Sequence, residues 1–173
     1  MPASGLTLVE VMISMTLLGL LMSAVLSSFI FILRGEQSLA NYNTMNAEAR
    51  TLLELLGRDS RSATDVTNFS ASSLTLVVPQ DTSGNTQEIT YEYDGSNGVL
   101  FRQVGSATER ILIRDITSFN FNYFNGHRDA TTSLAELKQV QLTLRITKEV
   151  SQAATSQYVI SAQYTLRAKP TSH

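Results

Sequence analysis

The sequence predicts an α+β protein in which a long N-terminal helix spans a membrane with its first half and packs its second half on an antiparallel β-sheet domain. Three observations carry this expectation. Val11 to Leu33 is a run of 23 residues without a charge, about 35 Å of helix at ~1.5 Å per residue, which suffices for a hydrocarbon core of roughly 30 Å. Behind it, apolar residues recur at three- and four-residue steps to about Ser62. From Leu74 onward the apolar period changes from 3.6 to 2 and does not return.

At the front of the span stands Glu10, with Leu6, Leu8 and Val9 before it and the uncharged run behind. A charge at mid-bilayer depth costs on the order of 2.5–3.5 kcal/mol on insertion scales, less near a helix end, so such a residue calls for a partner. No Lys or Arg lies between Met1 and Leu33. The expected partner is therefore an amino terminus, a group on another molecule, or the headgroup region reached by snorkelling. A cleaved secretory signal fits poorly, because it needs a basic n-region and an apolar core of about 7–15 residues. Here the first is missing and the second is too long.

The order Gly5, Leu6, Thr7, Leu8, Val9, Glu10 followed by some twenty apolar residues resembles the class III leader of type IV prepilins and type II secretion pseudopilins. That resemblance implies a leader at residues 1–5, cleavage by a prepilin peptidase between Gly5 and Leu6, and methylation of the new amino terminus at Leu6. It further implies that Glu10 faces a neighbouring subunit's amino terminus during assembly, and that the C-terminal part lies outside the bacterial inner membrane. Other pilin or pseudopilin subunits, the prepilin peptidase, the inner-membrane assembly platform and the lipid bilayer are the implied partners. Leu6 stands where Phe is commonest in the family, and residues 1–5 carry no basic side chain.

Within the membrane half, residues 6–33, Gly19, Ser23 and Ser27 recur every four residues. Small residues at that spacing line one face and let neighbouring helices approach closely, although Gly is also simply frequent in membrane helices. No proline falls between Ala3 and Val78, so nothing forces a kink. The amphipathic half, residues 34–62, follows as one continuous helix: Leu39, Tyr42, Met45, Ala49, Leu52, Leu53 and Leu56 make the stripe, with Glu36, Asn43, Glu48, Arg50 and Glu54 mostly elsewhere. Gly57 either ends it or is passed through.

Residues 63–173 read as the β-rich domain. Leu74 to Val78 alternates and stops at Pro79, and Asp81 to Asn85 is a turn. Ile89 to Tyr93 alternates next, and Asn97-Gly98 supplies the dipeptide of two-residue hairpin turns before Val99 to Val104. Further strands are expected at Ile111–Ile113, Phe119–Phe124, Val140–Ile146 and Tyr158–Leu166. Their apolar face needs a cover, and the stripe from Leu39 to Leu56 is available. The aromatic strand at Phe119, Phe121 and Tyr123 and the two long strands after it resemble the minor pseudopilin J and minor pilin W types.

Composition narrows the function. Charged residues are 16% of the chain, below the roughly 25% of average soluble domains. Ser and Thr number 39, and together these suit an extracytoplasmic surface. Net charge −2 argues against nucleic acid, and zero Cys excludes disulfides and thiolate metal sites. His127, near Asp129, and His173 sit in no nucleophile or metal pattern, so neither catalysis nor a cofactor is expected. Asp81 with Asn85 and Asp94 with Asn97 could offer oxygens to calcium, but lack the carboxylate count of a dedicated loop; turn chemistry explains them better. Two function classes remain: a minor pilin or pseudopilin assembled into, or priming, a filament, and a membrane-tethered β-rich binding module that needs neither Gly5 nor Glu10.

Overall fold

The computed structural model describes residues 7–81, 84–151 and 154–166. The chain divides into two units, Met1–Ala40 and Asn41–His173. One helix, α1 (Leu8–Ser62), belongs to both. In the first unit its side chains from Leu8 to Leu33 are exposed, with large apolar groups such as Leu8, Met15 and Phe31 at 70% or more. An exposed apolar surface of that extent is stable only in an apolar medium.

In the second unit α1 buries Met45, Ala49, Leu52 and Leu56 completely or nearly so. These lie four, three and four residues apart, which is one helical face. Leu39 and Tyr42, expected in the same stripe, are 66% and 42% exposed. The stripe that covers the sheets therefore begins at Met45. Gly57 is passed through and buried. A Cβ placed on it would come within 2.7 Å of the Tyr164 ring, so only glycine lets helix and strand meet at this distance.

Among the described residues eight antiparallel strands follow: β1 (Asp65–Phe69), β2 (Ser73–Pro79), β3 (Thr86–Asp94), β4 (Val99–Val104), β5 (Arg110–Ile113), β6 (Ile116–Phe124), β7 (Gln139–Ser151) and β8 (Ala154–Thr165). They form two sheets, a meander β1-β2-β3-β4-β5 and a three-stranded sheet β6-β7-β8. The sequence shows the period of the strands but not the break between Ile113 and Ile116, where Asp115 takes the left-handed conformation at φ 61° and the chain changes sheet. β1 was not anticipated, because Asp65-Val66-Thr67-Asn68-Phe69 contributes one buried side chain, Val66, and pairs with β2 through a bulge. The hairpin of β3 and β4 is present, but its loop has four residues, Gly95 to Gly98, with Asp94 paired to Val99. Asp94 accounts for the longer loop: its carboxylate accepts hydrogen bonds from the Ser96 N–H (2.8 Å) and the Asn97 side-chain amide (2.6 Å). Gly98, at φ 63°, closes the turn under the Ile116 carbonyl, which a Cβ would meet at 2.9 Å.

The core is shared. Leu74, Leu76, Ile89 and Leu100 from the first sheet join Leu142, Leu144 and Ile146 from the second around the buried face of α1. Aromatic rings join β6 to the first sheet. Tyr93 stacks on Phe119 at 4.6 Å and Phe69 lies tilted on Tyr123 at 4.5 Å. The Tyr123 hydroxyl donates to the Ser70 carbonyl at 2.7 Å. These aromatics act as packing and cross-strand contacts.

Candidate functional site

The site proposed from sequence is the front of α1. Gly5 and Leu6 lie outside the described residues. Thr7 precedes the helix and Glu10 sits in its first turn. The Glu10 carboxylate accepts from the Thr7 N–H at 2.8 Å and from the Thr7 hydroxyl at 2.9 Å, while the Glu10 N–H donates to the Thr7 hydroxyl oxygen at 3.3 Å. This is a reciprocal capping box, in which each side chain satisfies a backbone donor that the helix end leaves open. It adds to, and does not replace, the partner expected from an amino terminus, another molecule or the headgroup region. Within one protomer Thr7 supplies two donors, although it supplies no positive charge. The signal was legible in Thr7-x-x-Glu10 directly before an apolar run, which is the capping-box spacing.

Along the span, hydroxyl groups turn back to their own helix. Ser14 donates to the Glu10 carbonyl at 2.7 Å, Ser23 to that of Gly19 at 2.8 Å and Ser28 to that of Ala24 at 3.0 Å. Bonding to the carbonyl four residues back removes the desolvation cost of a free hydroxyl in lipid. Gly19, Ser23 and Ser27 are exposed, and a Cβ on Gly19 would meet nothing within 4 Å. Over an 18-residue window the mean hydropathy of α1 reaches 2.3, with none of that window buried.

The other sequence candidates resolve into turns. Asp81 accepts from the side-chain amide of Asn85 at 2.8 Å and from its N–H at 3.2 Å. Asn125 accepts from the N–H groups of His127 and Asp129 at 2.9 and 3.0 Å, so this loop is organised by an amide. His173 lies outside the described residues. Among the described residues no three His, Asp or Glu side chains gather as a metal site would require.

One buried polar cluster escaped sequence reading. Asp59, on the buried face of α1, accepts from Arg102 through Nη2 at 2.7 Å and Nε at 2.9 Å, and from the Tyr91 hydroxyl at 2.7 Å. Tyr91 and Arg102 are direct cross-strand partners on β3 and β4. Burial, and then the neighbouring Asp59 charge, push the Tyr91 hydroxyl far above its ordinary pKa, so it remains a neutral donor. Asp59 continues the register of Ala49, Leu52 and Leu56; a carboxylate on an apolar stripe is the cue that could have revealed it. The cluster ties α1 to the first sheet.

Residues 1–26 match the family model described as the prokaryotic N-terminal methylation motif. Comparison with curated proteins gives no match. The motif implies other pilins and a prepilin peptidase as partners in general terms, and with the exposed apolar helix it indicates a single membrane pass. The match covers residues 1–26 and supports a pilin- or pseudopilin-type precursor.

Proposed function

We propose that the chain is a minor pilin or pseudopilin, cut between Gly5 and Leu6 by a prepilin peptidase, methylated at Leu6, and then assembled into or used to prime a pilus-like or type II secretion filament. The observation that carries this reading is the N-terminal methylation motif at residues 1–26, leading into an exposed apolar helix. The precursor enters the bacterial inner membrane by one pass with its β-rich domain extracytoplasmic, and the assembly platform extracts it from there. The capping box supports a specific role for Glu10. In a lone protomer Thr7 holds the carboxylate by hydrogen bonds only. A neighbour's amino terminus adds the opposite charge, which is worth most in a medium of low dielectric. That difference favours orderly addition. Gly19, Ser23 and Ser27 then form the face on which neighbouring spans pack.

Mass spectrometry of the mature amino terminus tests the reading: a chain beginning at methylated Leu6 is expected, and one retaining Met1 refutes it. Gly5→Val should abolish cleavage, and Glu10→Ala should abolish co-purification with helix-anchored subunits, both without loss of membrane insertion. If both variants behave as the unmodified chain does, the span is only a tether for a binding head.

A further inference from the structure

We infer that the free edge of β8 is a strand-addition site for a different subunit, taking an extended segment with apolar side chains on one face and an acidic residue beside Arg61. Every other long or exposed edge of the two sheets is guarded. β1 has five residues, begins with Asp65 and carries a bulge. β5 has four residues and begins with Arg110. β6 is tied to the first sheet by the Phe121 N–H donating to the Ala71 carbonyl at 2.9 Å and the Ile116 N–H to that of Gly98 at 3.0 Å. Over Gln157 to Thr165 β8 has none of these devices, since the irregularity in its pairing with β7 lies at Glu149 to Ser151. From Gln157 to Thr165 it runs in unbroken register with β7, and contains no charge, proline or glycine. Among the described residues no strand pairs with its other side. Short strands, charges and bulges are how proteins prevent edge pairing, and an edge lacking all three is a template for it.

A second observation says what the incoming strand meets. Between β8 and α1 lies a groove of about 600 Å³, floored by Tyr158 and Tyr164 and walled by Ala49 and Leu53. The inward side chains of β7, Val140, Leu142, Leu144 and Ile146, are at most 1% exposed, so the groove opens on the side away from β7, along the free edge. A strand added there by main-chain hydrogen bonds directs alternate side chains into the groove, which is the arrangement that gives strand addition its specificity. At the rim Arg50 is bonded to Glu54 at 2.9 Å. The Arg61 guanidinium, beside Tyr164, makes no hydrogen bond or ion pair with any described residue, hence the preference for an acid.

The charge selects a different chain over a second copy. Pairing β8 with itself across a closed two-fold makes the strands antiparallel, and Gln157 to Thr165 carries no charge, so a second copy's β8 leaves Arg61 without an acid. That the different chain is another subunit rests on the proposed function; the mature amino terminus tests that reading separately, and exchange at β8 does not depend on it.

The test is backbone amide hydrogen exchange on the full chain in detergent micelles, with a synthetic peptide of about ten residues alternating valine and threonine and carrying one aspartate near an end. Alternate amides from Gln157 to Thr165 are expected to exchange freely in the dilute chain and to slow by about tenfold or more with peptide. Replacing the aspartate by lysine should weaken binding by about two- to fivefold. In Arg61→Gln that preference should vanish while protection of β8 persists. Edge amides already protected in the dilute chain, protection that rises with protein concentration alone, or binding that leaves β8 exchange unchanged would each overturn the proposal.

Discussion

At the scale of single residues, conformation and contact assign roles that residue type alone leaves open. Gly57 has the poorest helix propensity short of proline, and replacing it by Ala in an open helix gains about 1 kcal/mol. Here the Cβ would strike the Tyr164 ring, whose hydroxyl donates to the Leu53 carbonyl at 2.9 Å. Gly57→Ala should therefore lower the midpoint of thermal unfolding. Adding Tyr164→Ala should return the alanine to a favourable sign, which a double-mutant cycle would read. Asp94 offers a pH-dependent counterpart. Hydrogen bonds from the Ser96 hydroxyl, the Asn97 amide and the Ser96 N–H hold its carboxyl at about 2, against an ordinary 3.8. A group depressed in the folded state stabilises fully above its unfolded pKa and loses that contribution as pH falls through its folded one. The stability gap between the unmodified chain and Asp94→Asn should thus be constant near neutrality and close between about pH 4 and 2. A gap that persists at the acid end would show that the carboxylate is not what orders the loop.

At the scale of elements, α1 is joined to the sheets by two kinds of contact. Met45, Ala49, Leu52 and Leu56 supply apolar burial, worth about 1.5–3 kcal/mol for each large side chain. Asp59 supplies the other, since its bonds to Arg102 and Tyr91 fix where the last turns of the helix sit on β3 and β4. The Arg102 side chain is 12% exposed and that of Asp59 3%, so removing Asp59 leaves the Arg102 charge without its acid, whereas Asp59 also pairs with Arg58 at 3.1 Å. Asp59→Ala is expected to cost about 3–5 kcal/mol, and Tyr91→Phe about 1.5–3 kcal/mol, read by denaturant unfolding. Replacing Asp59 and Arg102 together by Leu and Met should cost far less than either single change. A buried ion pair recovers little more than its own desolvation, so it acts on register more than on net stability. The exposed Arg50–Glu54 pair on the same helix is expected to matter by well under 1 kcal/mol.

At the scale of the whole molecule, the two units answer to different solvents. Every buried hydrophobic residue among those described lies at Met45 or beyond, whereas the apolar residues from Leu8 to Leu33 are exposed. A chain starting at Asn41 should fold in aqueous buffer with the thermal midpoint of the full chain's β-rich domain. Circular dichroism melts would check this, and a large drop would mean that the first unit contributes to the core. The opposite truncation, residues 1–40, should partition into bilayers without any of the core.

Much of this was determined by the sequence itself, because the deciding signals are local. An uncharged run of 23 residues, a threonine three positions before a glutamate, and a change of apolar period from 3.6 to 2 each express themselves within a few residues of chain. They specified the span, the capped start of α1 and most of the strands. Tertiary structure decided whatever depends on residues far apart. The division into two sheets at Asp115, the exposure of Leu39 and Tyr42, the choice of Arg102, 43 positions away, as the partner of Asp59 and the unpaired edge of β8 are not written in any local period. Each depends on which surface reaches which, and close packing settles that only once the chain is folded.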